Sequence, residues 1–234
     1  MKVIVERSDL LKAMNRAQSI VERRNTIPIL SNVLIEALDT EISLRTTDLE
    51  IEIVEKVPAK IEIEGSITVG AHVLYDIIRK IPEGAPINFS SDQIASRLEV
   101  KAGRSRFSLA TLPRDDFPIM ATSEYQSNFS IPTVVLQKLF EKTKFAMSTE
   151  ETRYYLNGVF FHVAKNSDSL SLRTVATDGH RLAQIDETLP DNCEEMPGVI
   201  VPRKTVGELR TILESGETEI AVPVSETKIR FVNS

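Results

Sequence analysis

The chain has 234 residues, of which 41% are hydrophobic and 26% charged, and its formal net charge is -6. These fractions are ordinary for a globular protein, and no apolar run approaches the roughly 20 residues that a membrane-spanning helix needs. The single cysteine, Cys193, excludes an internal disulfide and suits a reducing compartment. Because the first residues begin a strand pattern and show no signal peptide, we expect a cytoplasmic protein.

The chain contains an internal repeat whose two copies align along their length. The segments that align are residues 3–5 with 129–131, 43–46 with 171–174, 47–48 with 177–178 and 67–69 with 199–201. A repeat of this length indicates a duplicated domain, so we predict domain 1 at residues 1–125 and domain 2 at residues 126–234. The second copy ends before the counterpart of the strand pattern at residues 103–110, and we therefore expect the natural protein to continue beyond Ser234.

Each copy predicts two helices and several strands. Apolar residues recur at helical spacing over residues 9–24 and 71–81 in the first copy, and over residues 133–146 and 203–214 in the second. Between the helices, apolar and polar residues alternate with a period of two, as in residues 49–55, which predicts antiparallel strands. We therefore predict an α+β fold of two tandem domains, each with two helices packed on one face of an antiparallel sheet.

Positive charge is concentrated on the predicted helices. They carry twelve basic and six acidic residues, although the chain as a whole is acidic. In the first helix of each copy, two basic residues lie four apart and therefore on one face: Lys12 and Arg16, and their counterparts Lys138 and Lys142. Such side chains contact nucleic-acid phosphates without reading bases, although a solvated helix face is the alternative. No aromatic residues interleave with them, which disfavours stacking against single strands.

The sequence carries no motif for catalysis. We find no phosphate-binding P-loop, no Gly-x-Ser-x-Gly nucleophile motif, and no cysteines and histidines at metal-ligand spacing. The three histidines, His72, His162 and His180, are far apart in the sequence. We therefore expect no enzyme, no metal and no cofactor. A nuclease or nucleotide hydrolase is the alternative, and turnover with a divalent metal would reveal it.

Four segments carry a resemblance to a known family. Residues 172–183 (LRTVATDGHRLA) predict a strand, an Asp-Gly turn and a returning strand. Together with RYYLNG at 153–158, TIPIL at 26–30 and GRSRFSL at 103–109, this segment resembles the bacterial sliding clamps, the beta subunits of the replicative DNA polymerase. The resemblance covers the whole chain and includes both copies, which it identifies as tandem duplicated DNA-clamp domains.

The resemblance implies a function in DNA replication. Members of the family have three such domains in a chain, and two chains close head to tail into a ring around duplex DNA, with the helices lining the hole. The ring is a processivity factor that tethers the polymerase by topology, so it needs only a basic lining along which the duplex slides. This chain would be the first domain and most of the second. A stand-alone two-domain adaptor that binds partner peptides without encircling DNA is the alternative.

The resemblance also implies which residues face DNA. Arg24 matches a residue that touches the DNA backbone, and Tyr154 and Tyr155 match residues near the duplex. Helix charge adds further DNA-binding candidates, namely Lys12, Arg16, Arg79, Lys138, Lys142 and Arg203. Two departures reduce the expected positive charge. Members of the family can carry Arg-Lys where this chain has His72-Val73, and a polar residue where it has Glu150.

Two protein-binding sites are implied as well, each completed by the third domain. The first is a pocket for short linear peptides from the polymerase, the clamp loader and repair enzymes, and its wall in this chain is Leu156, Thr177, Gly179, His180, Arg181 and Leu182. The second is the ring interface of the homodimer, an edge strand with a residue of the neighbouring helix: Arg104, Arg106, Phe107, Leu109 and Ile77. Without the third domain, we expect a monomer with weak, salt-sensitive affinity for DNA.

Overall fold

The computed structural model describes residues 1–23, 25–92, 96–120, 124–150, 152–165, 169–213 and 218–233. The chain divides into two units, Met1–Met120 (unit 1) and Ala121–Ser234 (unit 2). The boundary that the repeat predicts near residue 125 lies between the last strand of unit 1 and the first strand of unit 2. Within the described part of the chain, no helix is long and apolar enough to span a membrane.

Unit 1 is a barrel of eight antiparallel strands with two helices. Its elements are β1 (Lys2–Glu6), α1 (Arg7–Ala17), β2 (Asn32–Leu38), β3 (Glu41–Thr47), β4 (Glu52–Ile63), β5 (Gly65–Gly70), α2 (Ala71–Lys80), β6 (Pro86–Asp92), β7 (Arg97–Ala102) and β8 (Ser105–Leu112). Hydrogen-bonded neighbours follow the order β1-β4-β3-β2-β5-β8-β7-β6, and β6 pairs with β1 to close the barrel. Buried residues of both helices and of the strands form one hydrophobic core.

Helix α1 is shorter than the apolar pattern predicts. Its buried residues, Leu10, Ala13, Met14 and Ala17, have the predicted spacing. The helix nevertheless ends at Ala17, before the predicted residue 24, and the Ser19 hydroxyl donates to the Arg16 carbonyl at 2.7 Å just after this end. A serine hydroxyl that bonds a nearby carbonyl competes with the helical hydrogen-bond ladder. Ile20, which continues the apolar pattern, is buried from the turn that follows.

The two helices of unit 1 lie side by side and antiparallel. At one end, the Arg7 guanidinium donates hydrogen bonds to the carbonyls of Ile78 and Arg79, at 3.3 and 3.0 Å. The Ile78 carbonyl also accepts the Ile81 N–H at 3.2 Å, so Arg7 adds a second donor there and bonds the Arg79 carbonyl beyond it. Further along, the Tyr75 hydroxyl donates to Asn15 Oδ1 at 3.1 Å. Because the apolar faces of both helices pack on the core, their polar residues form an exposed surface.

Unit 2 repeats this order of elements with a divided sheet. Its elements are β9 (Ser127–Pro132), α3 (Thr133–Thr143), β10 (Gly158–Lys165), β11 (Leu170–Thr177), β12 (Leu182–Thr188), β13 (Val199–Pro202), α4 (Arg203–Leu213) and β14 (Glu219–Val224). One sheet has the order β12-β11-β10-β13, and β14 pairs with β9 in a second. Helices and strands again share one core.

Aromatic side chains fill much of the core of unit 2. The ring of Phe161, which is fully buried, lies 6.4 Å from the ring of Phe129 and 5.8 Å from that of Phe140, measured between centroids. Phe140 also meets Phe231 edge to face at 6.2 Å. Tilted and edge-to-face rings attract one another beyond the effect of burial alone. In the main core of unit 1, by contrast, Phe89 is the one fully buried aromatic residue among those described.

The fold prediction is confirmed, because each unit combines two helices with antiparallel strands in an α+β architecture. Helices α3 and α4 begin at the predicted residues, and a 3-10 turn at Lys144–Ala146 completes the predicted helix over 133–146. The sequence pattern did not indicate that the strands of unit 1 close into a barrel while the described strands of unit 2 form two sheets. Two features account for this difference: β12 ends before it could pair with β9, and the described strands of unit 2 include no equivalents of β7 and β8.

Candidate functional site

In unit 1, only one of the two predicted cations of α1 is available to a ligand. Lys12 is exposed on α1 and has no ion-pair partner among the described residues. Arg16 instead donates two hydrogen bonds to the carboxylate of Glu55 on β4, at 2.8 and 2.6 Å. Such paired bonds hold the guanidinium in place, and both side chains are largely buried, at 27% and 15% exposure. Arg16 therefore links the helix to the sheet.

In unit 2 the roles of the two cations are exchanged. Lys138, the counterpart of Lys12, lies 2.5 Å from Glu187 on β12, whereas Lys142 is exposed and without an ion-pair partner in the described part of the chain. Glu55 and Glu187 occupy equivalent positions, since each follows the strand residue that pairs with Arg45 or with Arg173. In each copy one strand glutamate thus holds one helical cation, and the other cation has no ion-pair partner among the described residues.

The second helix of each unit adds cations of different character. Arg79 of α2 lies 3.3 Å from Asp76 and 5.7 Å above the ring of Tyr75, so its charge is partly balanced within the helix. Arg203 is the first residue of α4 and is exposed. Its guanidinium donates to the Ser148 carbonyl at a long 3.5 Å. The positive charge of Arg203 is therefore less neutralised than that of Arg79.

The aromatic pair predicted to lie near DNA is strongly exposed. Tyr154 and Tyr155 are 78% and 58% exposed, and their rings meet edge to face at 5.5 Å in the loop before β10. In the same loop Glu150 lies 2.8 Å from Arg153, so the carboxylate is balanced locally. Glu150 therefore removes less positive charge from this surface than its sequence position indicates.

The remaining predicted DNA-side positions contribute little fixed charge. His72 places Nε2 at 2.8 Å from the Val21 carbonyl, which commits this nitrogen to the fold. Val73 is 54% exposed and apolar. The His72-Val73 departure thus leaves this part of α2 without the two cations that the family can carry there. Arg24 lies outside the described residues.

The predicted peptide pocket is built on the β11–β12 hairpin, whose connecting loop is fixed by its own side chains. Thr177 Oγ1 donates to the Arg181 carbonyl at 2.7 Å and accepts from the Gly179 N–H at 3.1 Å. Asp178 Oδ1 accepts from the N–H groups of His180 and Arg181, at 2.9 and 3.0 Å. These donors, His180 first, lower the pKa of Asp178 to about 2. The loop is therefore held by hydrogen bonds of its own side chains, and the ionised Asp178 is balanced by Arg181 of the same loop.

Arg181 and His180 stand at the rim of a small cavity. The Arg181 guanidinium donates to Asp178 Oδ2 at 2.9 Å and lies 5.7 Å from the ring of Phe145. The cavity has a volume of about 220 Å³ and is lined by Met147, Ser148, Thr149, Glu150, Asp178, His180 and Arg181. Leu156 adjoins this cavity, because its carbonyl accepts a hydrogen bond from the N–H of Ser148, a lining residue, at 3.0 Å. Leu182 is 64% exposed beside the loop.

The structure thus brings the predicted pocket residues together and adds others. Thr177, Gly179, His180, Arg181 and Leu182 lie in or next to one loop, and Leu156 adjoins it through the segment at 147–149. Sequence reasoning missed Phe145, whose exposed ring lies beside Arg181, and Met147, which is mostly buried but lines the cavity. No local motif marks them, since both follow a helix whose apolar pattern is that of any core-facing helix.

The residues predicted for the ring interface lie on β8, just before it, and on α2. Phe107, Leu109 and Ile77 are half-buried against the core of unit 1. Arg106 pairs with Glu99 of β7, and Arg104 is exposed. The strand is not open along its whole length, because its last two residues pair with β5 and close the barrel. Among the described residues, β8 has a free edge over residues 105–110 only.

A metal site finds no support in the described ranges, where no group of three or more His, Cys, Asp or Glu residues could hold an ion. Cys193 is buried, and desolvation raises the pKa of its thiol to about 12. The described features that a ligand could contact are therefore exposed cations on helices, exposed aromatic rings, a hydrogen-bonded hairpin loop and a partly open strand. All of these suit binding.

Comparison with known proteins identifies the family. The family model for the DNA polymerase III beta subunit, N-terminal domain, matches residues 1–121, and that for the central domain matches residues 130–234. The beta sliding clamp of Caulobacter vibrioides is 48% identical over 231 residues, which cover 99% of this chain and 62% of that protein. The beta sliding clamp of Escherichia coli K12 is 41% identical over 235 residues, covering 98% and 61%.

Solved structures agree with the sequence relatives. Caulobacter crescentus pol III beta aligns with a TM-score of 0.95 at 48% identity, over 99% of this chain and 63% of that chain. A sliding clamp from Bartonella birtlesii bound to griselimycin aligns with a TM-score of 0.95 at 46% identity, over 100% and 62%. The chain spans about 62% of the length of the curated relatives it matches. Since the two family models together match nearly all of its residues, the chain belongs to the DNA polymerase III beta subunit family.

Proposed function

We propose that this chain forms two domains of a bacterial sliding clamp, the processivity factor that tethers the replicative polymerase to duplex DNA. The observation that carries the proposal is the TM-score of 0.95 to Caulobacter crescentus pol III beta over 99% of the chain. The names of the relatives are those of sliding clamps, and they do not favour a stand-alone adaptor. The whole protein would work without catalysis, in the cytoplasm, and would encircle DNA as a homodimeric ring in which the free edge of β8 meets the third domain of the partner chain.

The DNA-facing surface of each unit is its pair of helices. Lys12 in unit 1 and Lys142 in unit 2 supply free ammonium groups, and Arg79 and Arg203 add partly balanced cations. Contacts of this kind neutralise phosphates without reading bases. A ring holds DNA by topology, so weak contacts suffice and allow sliding. Arg16 and Lys138 serve mainly to attach the helices to strands that carry glutamates.

The partner site is the hairpin pocket of unit 2. Short peptides from the polymerase, the clamp loader and repair enzymes would place apolar side chains against Leu156, Leu182 and Phe145, with polar groups near His180 and Arg181. Apolar walls with a few fixed polar groups are typical of such pockets. The Bartonella birtlesii clamp, of the same fold, binds griselimycin. That a family member holds a ligand supports a binding role for this chain.

The DNA proposal is tested by fluorescence anisotropy with a labelled 20-base-pair duplex across a salt series. Each phosphate contact contributes about 0.9 to the slope of log affinity against log salt concentration. Lys12→Ala combined with Lys142→Ala should therefore lower that slope by about 2 and weaken binding at every salt concentration. Duplexes of unrelated sequence should bind alike.

The matched control is Lys60→Ala, which removes an exposed lysine from β4 in unit 1. This variant should bind DNA like the unaltered chain. If Lys60→Ala reduces the salt slope as much as a helical substitution does, the DNA does not lie on the helices. An affinity that is independent of salt would contradict the proposal in another way, because phosphate contacts always release counterions.

A further inference from the structure

Unit 2 has a second concave surface, away from the hairpin loop. It is a groove of about 600 Å³ beside β9, bounded by the end of β12 and the segment after it. The residues that matter for its chemistry are Phe129, Ser130, Leu189, Asp191 and Glu219. None of the residues that line it belongs to the peptide pocket proposed above.

In unit 1 the equivalent space is filled by a strand of the chain itself. There β1, the counterpart of β9, pairs with β6 on one edge and with β4 on the other. The residues of β4 that occupy this place are Ala59, Lys60 and Ile61, which lie opposite Val5, Ile4 and Val3. In unit 2, β12 stops at Thr188, and β9 pairs with β14 only, as far as the described residues go. The groove thus lies where unit 1 has the second half of β4.

The sequence explains why the strand ends. Val57-Pro58 aligns with Leu189-Pro190, but the alternating residues that follow in unit 1 are replaced by Asp191-Asn192-Cys193. Asn192 has φ +61, the left-handed conformation that asparagine tolerates better than most residues and that turns the chain out of a strand. Its carbonyl then accepts a hydrogen bond from Ser127 Oγ at 2.9 Å. The segment therefore passes the start of β9 without pairing along it.

Within the described part of the chain, this leaves backbone groups of β9 free to bond a ligand. At the end of the β9–β14 ladder, the Thr133 N–H donates to the Thr218 carbonyl at 3.0 Å. Pairing alternates along an antiparallel strand, so odd-numbered residues face β14, and Asn128 and Ser130 direct N–H and C=O groups into the groove. Both residues are exposed. Unpaired groups of this kind form a template for another strand.

The charge of the groove selects what can bind. Asp191 and Glu219 are exposed carboxylates with no ion-pair partner among the described residues, whereas Glu187 is held by Lys138. No lysine or arginine lines the groove in the described part of the chain. A cationic strand is therefore favoured over an anionic one by electrostatic complementarity.

We propose that this groove binds an extended, basic segment of a partner protein, which adds to β9 as an antiparallel strand. About five residues would span it, at roughly 3.3 Å per residue. The strand of unit 1 indicates the pattern, since Ala59 and Ile61 pack against the core while Lys60 between them is exposed. Main-chain hydrogen bonds provide the affinity in such strand addition, and alternate side chains provide the selectivity. The site is independent of the DNA and peptide sites proposed above.

The probe is a fluorescein-labelled peptide of alternating isoleucine and lysine, compared with a matched peptide of alternating isoleucine and glutamate. The lysine peptide should bind with an anisotropy change, and the glutamate peptide should bind about tenfold more weakly. Binding should also slow hydrogen exchange at the Asn128 and Ser130 amides, while the pocket loop at 178–181 is unaffected. Equal binding of the two peptides, or no change in exchange at β9, overturns the proposal.

Two substitutions at Ser130 distinguish binding through main-chain hydrogen bonds from nonspecific adhesion of the peptide. Ser130→Pro removes the N–H that faces the groove and keeps the ladder with β14, because proline is tolerated where no strand pairs. It should abolish binding of the lysine peptide, and the control Ser130→Ala should leave binding unchanged. If both variants bind equally well, strand addition is excluded.

Charge reversal keeps the proposal testable even if the proline variant misfolds. Asp191→Lys combined with Glu219→Lys should invert the preference, so that the glutamate peptide binds better. An unchanged preference overturns the proposal. Protection of the Ser130 amide that rises with protein concentration, without peptide, would identify a second copy of the chain as the occupant and would also overturn it.

Discussion

Unit 1 and unit 2 bury the same pattern of residues but differ in their sheets: β12 is shorter than β4, and the described strands of unit 2 include no equivalents of β7 and β8. In unit 1, β4 runs on past Pro58 and completes a barrel, whereas β12 ends at Thr188 and leaves β9 with a free edge. The helices and the core, which depend on periodic apolar residues along the whole repeat, are common to both units. Whether the first strand of a unit pairs on both edges depends on the two or three residues after Pro58 or Pro190, and these residues have diverged. A duplicated fold thus preserves its interior while its edges acquire separate roles.

The hairpin turns of the two units likewise share a backbone framework and differ in the side chains on it. Thr47 Oγ1 donates to the Ile51 carbonyl at 2.8 Å, as Thr177 Oγ1 donates to the Arg181 carbonyl at 2.7 Å. Asp48 likewise accepts from backbone N–H groups of its own loop, as Asp178 does. The scaffold of the turn is therefore shared. What differs is the side chains on it, and those of unit 2 bring a histidine and an arginine to the pocket.

The largest predicted effect concerns the two cores. Phe161→Ala should destabilise unit 2 by about 3–5 kcal/mol, because it removes a fully buried ring. Phe89→Ala removes the corresponding bulk from unit 1, and the loss should be about 1 kcal/mol smaller because Phe161 also loses two ring contacts. Differential scanning calorimetry measures both. Phe161→Leu is the control, and because it keeps much of the buried volume it should cost less than Phe161→Ala. Equal losses for the two alanine variants would contradict a special role of the aromatic cluster.

The next effect distinguishes the two helix-to-strand ion pairs. Arg16→Met leaves the carboxylate of Glu55, only 15% exposed, without its partner, so it should cost about 1–3 kcal/mol. Lys138→Met should cost less than Arg16→Met, because the Lys138 ammonium is 52% exposed and meets one oxygen of Glu187, itself 19% exposed, whereas the Arg16 guanidinium makes two hydrogen bonds. Chemical denaturation measures both values. A double-mutant cycle with Glu55→Gln should recover part of the Arg16 loss. If Lys138→Met proves the more costly variant, the assignment of structural and free cations is wrong.

A smaller effect tests the shared turn. Leu49 has φ +80 and Gly179 has φ +91, a region that favours glycine. Leu49→Gly should therefore stabilise unit 1 by about 1 kcal/mol, since Leu49 is 54% exposed and loses little packing. Gly179→Ala should destabilise unit 2 by about 1 kcal/mol, and the added Cβ would meet only Arg153 at 3.9 Å. Thermal denaturation provides the comparison. If both substitutions change the stability in the same direction, the backbone conformations of the two turns differ.

The smallest predicted effect is a pH dependence. The pKa of Asp178 is lowered from an ordinary 3.8 to about 2, so its ionised form stabilises the folded loop above that ordinary value. This stabilisation should be lost as the pH falls from 3.8 towards 2. Carboxyl NMR titration should find a midpoint near 2. Asp178→Asn should remove this part of the acid sensitivity of unit 2. A midpoint near 3.8 would mean that the loop does not hold the carboxylate.

Much of the fold could be predicted from the sequence because it depends on local periodicity. Buried residues of α1 such as Leu10 and Met14 recur at helical spacing, and the hairpin at 172–183 has a distinctive motif. The pairing of Arg16 with Glu55 could not be predicted, since the two residues are 39 apart and meet only after the barrel forms. Nor could the end of β12, because it depends on the left-handed conformation of Asn192. Charge counting alone therefore overestimated the free positive charge of the helices.

The most direct test of the proposed DNA-facing surface is NMR mapping of the amide shifts of the isotope-labelled chain as a short duplex is added. We expect shifts at Lys12 on α1, at Arg79 on α2, at Lys142 on α3 and at Arg203 on α4, and no shifts at the exposed residues of β4 and β12. The shifts should fade as salt is raised. Shifts confined to the strands, with the helices unaffected, would contradict the proposal that the helices of both units face DNA.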